Sequence, residues 1–329
     1  TLGMRPSTTI LTSMEKFQPS PFQAAGWLPN GHFQSVFAAL LMPVKSPNYR
    51  REILELPDGD IIAADWVDGD AEAPLVVLIH GMEGSSQSRY AKLLMNECIQ
   101  RGWQGVVLHM RSCGGLMNRR RKFYHAGSYE DIEYFVDKWL PAQGFNQQVF
   151  LLGVSLGGSQ VAHYLAKGNA TDRIKAAVII SAPFDLAAAA DHMSKGFSRN
   201  YVVKFRNSLL EKYHQKSALI DDAEMGPKLA KAKTFWDLDN AGTAPLHGFR
   251  DAGHYYREMS AKTCLKDITV PTLYLASRDD PFVPEASMPH GSVGNITSLL
   301  TEKGGHVGFV DYYGKSWMVP TVFKFLTEL

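Results

Sequence analysis

The sequence predicts an α/β fold, a doubly wound and mostly parallel sheet with one helical insertion. Three observations carry that expectation. Short apolar runs, each the length of one strand, recur from Leu75 onward and alternate with segments of helical spacing. Such alternation gives parallel strands, because each crossover needs a helix to bring the chain back to the same end of the sheet. The stretch from Gln147 to Gln160, QQVFLLGVSLGGSQ, passes from a wholly apolar strand to a helix through a glycine–serine turn. Residues 184–267 interrupt the alternation with helical segments and few strand signals, and read as a helical cap inserted between two strands.

Taken in order, residues 1–21 are polar, with prolines and threonines, and read as a flexible N-terminal arm to a domain spanning 22–329. Phe22 to Val44 mixes aromatics with Pro and Gly and reads as a loop entering a short helix. Arg51–Leu56 and Ile61–Val67 are two strands joined at Pro57-Asp58-Gly59-Asp60, a strong hairpin signal. Leu75–Ile79 is a buried strand followed by a helix over Ser85–Gln100, and Gln104–His109 is the next strand. Ser128-Tyr129-Glu130-Asp131 has the form of a helix N-cap with acidic residues in the first turn, and that helix should run to about Trp139 and stop at Pro141. After the central strand and a helix over Gln160–Ala166, strands follow at Ile174–Ile180, Thr272–Ala276 and Ile296–Thr301. Trp317–Leu329 closes the chain as an amphipathic helix.

Composition narrows the class. With 45% apolar and 20% charged residues, the chain can bury a large core and is not a disordered one. A formal net charge of +1, with no zinc-finger, RNP-like or basic-helix pattern, argues against a nucleic-acid partner. Cys98, Cys113 and Cys264 have no framework spacing and read as reduced thiols. There is no charged-then-apolar leader, and the apolar run from Val36 to Val44 is too short to span a bilayer, so no transmembrane segment and a cytoplasmic location are expected. No C-x-x-C, P-loop or dinucleotide fingerprint is present, so neither a metal nor a cofactor is expected.

The chemistry centres on Gly153-Val154-Ser155-Leu156-Gly157. A serine at a sharp strand-to-helix turn, with glycines two positions to either side, is the nucleophile elbow of the α/β-hydrolase fold. The glycines leave room for strand and helix to approach, and the helix start faces the serine with its N–H groups. In that fold a carboxylate and then a histidine follow the serine along the chain, each after a later strand. His306, after the last strand, is the candidate base. Asp280, ahead of Pro281 and Pro284, is the favoured acid and Asp279 the runner-up. The loop His80-Gly81-Met82-Glu83-Gly84-Ser85 should supply one oxyanion-hole N–H, from Met82, and Leu156 the second. His80, Gly81, Glu83 and Arg111 are candidate substrate-binding residues, although a histidine that merely holds its loop is the preferred reading of His80. Arg119-Arg120-Arg121-Lys122 reads first as a solvated basic loop and second as an anionic-headgroup contact. In the cap, His192, Phe197, Tyr201, Phe205, Trp236, Tyr255 and Tyr256 are candidates to line an acyl pocket, with core packing the commoner role at such spacing.

Several further motifs accompany the elbow. Trp27-Leu28-Pro29-Asn30-Gly31-His32, His80-Gly81-Met82-Glu83-Gly84-Ser85-Ser86, Arg111-Ser112-Cys113-Gly114, Tyr124-His125-Ala126-Gly127, Gly153-Val154-Ser155-Leu156-Gly157-Gly158, Asp280-Pro281 and Gly304-Gly305-His306 occur in this order. From about Phe22 to the C-terminus the chain resembles the YheT/ABHD1-ABHD3/EMB8-like family of α/β-hydrolases. The resemblance implies a serine hydrolase acting on carboxylic esters, with Ser155, Asp280 and His306 as its triad and a small-molecule or lipid ester as its substrate. Some animal relatives act as phospholipases. A phospholipase, and a non-catalytic hydrolase-fold binding scaffold, are the alternatives to a carboxylesterase or lipase.

Overall fold

The computed structural model describes residues 17–168 and 172–329, so most of the arm expected over residues 1–21 lies outside the described residues. Nine strands form one sheet in the order β1-β2-β4-β3-β5-β6-β7-β9-β8. They are β1 (Arg50–Glu55), β2 (Ile61–Val67), β3 (Leu75–Ile79), β4 (Gln104–Leu108), β5 (Val149–Val154), β6 (Ile174–Ile180), β7 (Thr272–Ser277), β8 (Ser292–Val293) and β9 (Ile296–Thr301). The six strands from β4 to β9 across the centre are parallel, while β2 runs against both β1 and β4, and β8 against β9. β3 and β5 are buried at every residue because both faces are covered. Along β5, Leu151 packs into one layer with Trp66, Phe135 and Tyr164, while Phe150 and Leu152 pack into the other with Phe323 and Phe325.

The edge strand β1 shows the opposite pattern. It buries Leu54 and exposes Arg50, Arg51, Glu52 and Glu55 or leaves them half-buried, so its open side carries charge. Its Arg51 lies directly opposite Asp65 of β2 and donates to both carboxylate oxygens, at 2.7 and 2.8 Å. The hairpin closes at Gly59, whose φ of +81° suits the tight turn.

Three boundaries depart from the sequence expectation. Helix α1 covers Gly31–Val36, and α2 covers Arg89–Gln100 instead of starting at Ser85. Ser85 and Ser88 take backbone N–H groups with their own hydroxyls, which closes a turn in place of a first helical turn. Helix α3 (Glu130–Tyr134) has its acidic first turn, but the Ser128 hydroxyl accepts from the His125 N–H and caps nothing. The chain continues past Pro141, through a wide π-turn at Phe135–Trp139 into Leu140–Ala142. The wide turn resets the helical register, so Pro141 falls at a first-turn position where its missing N–H costs nothing. Helix α4 (Leu156–Lys167) begins immediately after Ser155, four residues before the apolar run that signals it.

Between β6 and β7 lie six helices of the described chain: α5 (Leu186–Met193), α6 (Arg199–Ile220), α7 (Met225–Lys231), α8 (Phe235–Leu238), α9 (Ala244–His247) and α10 (Ala252–Met259). Asp185 caps α5 and Asp251 caps α10, and Thr234 with Asp237 forms a reciprocal capping box on α8. A π-turn at Asp239–Thr243 joins α8 to α9. Helix α11 (Met318–Thr327) packs its apolar face on the sheet. Among the described residues no helix is long and apolar enough to cross a membrane.

Candidate active site

Ser155 stands between β5 and α4 with φ +52° and ψ −122°. A non-glycine residue held there costs roughly 1–3 kcal/mol, and the surrounding contacts are what hold it. Its N–H donates to the Ile180 carbonyl at 2.8 Å. The two flanking glycines are required by contact. A Cβ at Gly153 would come within 2.7 Å of Gly157 O and Gly158 Cα, and one at Gly157 within 2.3 Å of His80 O. The spacing in the sequence is thus a record of how closely strand, helix and the β3 loop approach one another.

His306 follows β9 and reaches both partners. Its Nε2 lies 2.8 Å from Ser155 Oγ, and its Nδ1 lies 2.9 and 3.1 Å from the two Asp280 oxygens. The imidazole stacks on Phe282, with ring centroids 4.2 Å apart. Asp280 is buried, and its Oδ1 also accepts from the Phe282 and Val283 N–H groups. Asp279, one residue away, faces elsewhere: its Oδ1 accepts from Ser277 Oγ and the Gly305 N–H. The bonding pattern therefore brings Asp280 to the histidine and leaves Asp279 to hold the loop. A carboxylate on Nδ1–H leaves Nε2 free to accept a proton from a hydroxyl.

Helix α1 holds both of these loops. Asn30 caps it, accepting from the His32 and Phe33 N–H groups. Ser35 Oγ donates to the Gly31 carbonyl at 2.6 Å and accepts the His306 N–H at 2.7 Å. Gln34 exchanges two hydrogen bonds with the backbone of Val310. A Cβ at Gly31 would sit 1.9 Å from the Asp279 carbonyl oxygen. Sequence reading missed Gln34 and Ser35; the motif Trp27–His32 pointed to the segment without saying what it touches.

The Met82 and Leu156 N–H groups have no acceptor among the described residues, and both residues line the two cavities beside the serine. One cavity is walled by Ser155, His306, Leu186, Met193, Phe205, Phe235, Tyr255 and Tyr256. The second adjoins it through Met82, Leu156, Phe235, Asp239 and Tyr255. Of the seven aromatic candidates in the insertion, Phe205, Tyr255 and Tyr256 are thus at the cavity. His192, Phe197, Tyr201 and Trp236 are not among its walls.

The other sequence candidates divide. Gly81 lies against Ser155, since a Cβ there would meet Ser155 Cβ at 3.2 Å. Glu83 follows Met82 with φ +55°, and its carboxylate is tied to the insertion. It accepts from Lys212 Nζ at 2.6 Å, from Tyr124 Oη at 2.5 Å and from Ser208 Oγ. Ser208 and Lys212 are one turn apart on α6, so that helix grips the loop carrying Met82. Arg111 lies away from both cavities, its guanidinium bound to Asp131, Asp58 and Asp60; its placement supports a loop-holding role and not substrate contact. Arg119–Lys122 is exposed, as a solvated loop should be.

His80 also holds a loop. Its Nδ1–H donates to the Gly81 carbonyl at 2.7 Å and its Nε2 accepts the Met110 N–H at 3.1 Å, so the ring is neutral and fully buried. Burial, with His109 nearby, lowers its pKa to about 3. Burial likewise lowers His109, which accepts the Ser86 N–H, to about 4. Unfolded histidines bind protons below about pH 6.5 while these two do not, so the unfolded state gains protons first and stability must fall as pH drops from there. Each ring is expected to cost about 1.4 kcal/mol per pH unit between about 6.5 and its folded value. Asp239, raised to about 6 by burial, runs in the opposite direction but is one group against several, since burial lowers His125, His163 and His247 as well. Urea midpoints at pH 7.5, 6 and 5 check this; a midpoint that rises on acidification contradicts it.

Comparison with known proteins agrees with this fold. Residues 74–312 match the family model of the alpha/beta hydrolase fold. YheT of Escherichia coli (strain K12), whose name carries the word esterase, is 39% identical over 291 residues, covering 85% of this chain and 84% of its own. The embryogenesis-associated protein EMB8 of Picea glauca is 26% identical over 332 residues, covering 94% of this chain and 72% of its own. Among solved structures, the Pyrococcus furiosus esterase Pf2001 superposes with a TM-score of 0.54 at 14% identity, over 94% of this chain and 97% of that one, which is a likeness of fold. With its elbow, its mostly parallel sheet and a relative at 39% identity over most of its length, the chain belongs to the α/β-hydrolase-fold family, in the branch that holds YheT and EMB8.

Proposed function

We propose that this ester hydrolase cleaves carboxylic esters through an acyl-enzyme on Ser155, with His306 as base and Asp280 as its orienting acid. The observation that carries the reading is the continuous chain of contacts from Asp280 through His306 to Ser155 Oγ. Ser155 Oγ attacks the ester carbonyl as its proton passes to His306 Nε2. The tetrahedral intermediate collapses, the C–O bond to the alcohol breaks, and the same proton leaves with the alcohol. Water then repeats the sequence on the acyl-enzyme and frees the acid. The Met82 and Leu156 N–H groups stabilise the negative oxygen, and loss of one such donor typically costs about 2.7–4 kcal/mol. The acyl group, attached to Ser155 between the two halves of the reaction, lies in the apolar cavity under the insertion. Cytoplasmic residence is part of the proposal and is supported by three free, buried cysteines. The test is hydrolysis of p-nitrophenyl esters of two to sixteen carbons (about the range a cleft of this class takes) by wild type and Ser155→Ala. No serine-dependent turnover at any length overturns the reading.

The grip of α6 on Glu83 adds a second expectation. Lys212→Met leaves the Glu83 carboxylate without its cation and loosens the loop that carries Met82. Because the oxyanion donor acts in the transition state, kcat is expected to fall by up to about 100-fold with KM little changed. Steady-state kinetics on a short-chain ester read the split, and a change confined to KM refutes this role for Lys212.

A further inference from the structure

Asp239 is a buried carboxyl that the proposed mechanism does not use. It opens the π-turn at Asp239–Thr243, a distortion that recurs at functional sites. The residue lines both cavities, the one walled by Ser155 and His306 and the one beside it. Oδ1 accepts from Thr243 Oγ1 and Oδ2 from Tyr256 Oη, each at 2.6 Å. No lysine, arginine or histidine forms an ion pair with it among the described residues. An ionised carboxylate has about four acceptor sites, and here two are filled by neutral hydroxyls. Burial pushes this carboxyl up to about 6, against the pull of those two hydroxyls. A carboxyl in an apolar wall with spare acceptor capacity and no cation is costly to keep, unless something entering the cavity supplies a donor.

We propose that Asp239 is the polar point in the lining of the acyl pocket and accepts a hydrogen bond from a hydroxyl or ammonium group on the acyl chain, so that the site favours hydroxylated or amino-bearing acyl esters over plain alkyl ones. This rests on the reading of Ser155 as nucleophile. The acyl half is the relevant one because it stays bonded to Ser155 and needs buried room, whereas the alcohol must leave. The remaining walls are made by Leu186, Met193, Phe205 and Phe235, with Tyr255 and Tyr256 as aromatic neighbours, and they fit an alkyl stem. The arrangement is then an apolar cavity with one acceptor in its lining, which sets the polarity of what fits.

The experiment compares p-nitrophenyl acyl esters in sets of equal length that end in methyl, hydroxyl or ammonium, over several chain lengths, with wild type and Asp239→Asn. The asparagine keeps the shape and an acceptor for one of the two hydroxyls, and a melting scan checks its fold. At one or more lengths the wild type is expected to favour the hydroxyl or ammonium ester over the methyl ester by about 10-fold or more in kcat/KM. Asp239→Asn is expected to lose most of the ammonium preference and to weaken the hydroxyl preference, each read as the ratio of kcat/KM to that of the methyl ester within the same variant. The hydroxyl and ammonium arms tell the two donors apart. A wild type that prefers methyl, or treats all three alike at every length, overturns the proposal without any variant; so does a folded Asp239→Asn that keeps the full preference. Hydrolysis of methyl esters that depends on Ser155 separates this failure from that of the nucleophile assignment. Absence of turnover on every ester, with no labelling of Ser155 by a fluorophosphonate, removes both.

Discussion

Ser155→Ala is expected to abolish ester hydrolysis, with kcat falling by about 10⁶-fold, as when the nucleophile of a serine triad is removed. The size follows from the division of labour around it. His306 Nε2, 2.8 Å from the hydroxyl, has nothing to deprotonate once that oxygen is gone. The backbone N–H groups of Met82 and Leu156 and the cavity remain, so substrate binding should persist and the loss should sit in kcat. The fold should persist as well. Alanine meets the same backbone strain at φ +52° that serine does, and the Ser155 N–H to Ile180 bond does not involve the side chain. Kinetics on a p-nitrophenyl ester, beside a melting curve of the variant, make the measurement. Activity within about 10-fold of wild type would move the nucleophile elsewhere.

Asp280→Asn is expected to lower kcat by about 10⁴-fold, whereas Asp279→Asn should cost less than about 10-fold. Asp280 accepts at both oxygens, and the Phe282 and Val283 N–H groups hold its Oδ1 in place. An asparagine would keep its carbonyl oxygen on those two donors and turn its NH₂ toward His306. The imidazole would then carry its proton on Nε2, where it can no longer accept from Ser155. At position 279 the same exchange keeps the one oxygen that matters, Oδ1, on Ser277 and Gly305, while Oδ2 has no partner to lose. The two variants assayed together give the answer as a ranking. If Asp279→Asn were the more damaging, the acid would move by one residue.

What was legible in the sequence was what chemistry and sterics write locally. The elbow could be read because glycine is needed at Gly153 and Gly157 by contacts a few residues away in the chain or across one loop. The hairpin at Pro57–Asp60 and the buried strands have equally local signatures. Asp280 could be favoured but not separated from Asp279, since the choice depends on which carboxylate turns toward a loop 26 residues away. Ser35 carries no local mark at all: its partner, the His306 N–H, is 271 positions distant. Arg111 was legible as a charge at a strand end, yet its three aspartates come from two distant stretches, the hairpin turn with Asp58 and Asp60 and the helix with Asp131, and only their convergence ties the loop down. The insertion was visible as a change of pattern, but the π-turn that places Asp239 at the cavity has no periodicity to betray it.

The clasp of α1 on the loops of Asp279 and His306 bears on how the chain acquires activity. Its contacts join Gly31, Gln34 and Ser35 to Gly305, His306 and Val310, so a span of 271 to 276 positions must be looped out before the hydrogen bonds can form. Loop closure of that span is a slow, late event in folding. On the ribosome, where the N-terminal part emerges first, α1 has no socket until the stretch through Val310 has been synthesised and the last central strand has been added. The sheet can take shape progressively, strand upon strand. The histidine loop cannot, because the residue that pins it is made 271 positions ahead of it, and competence for chemistry arrives in one late step.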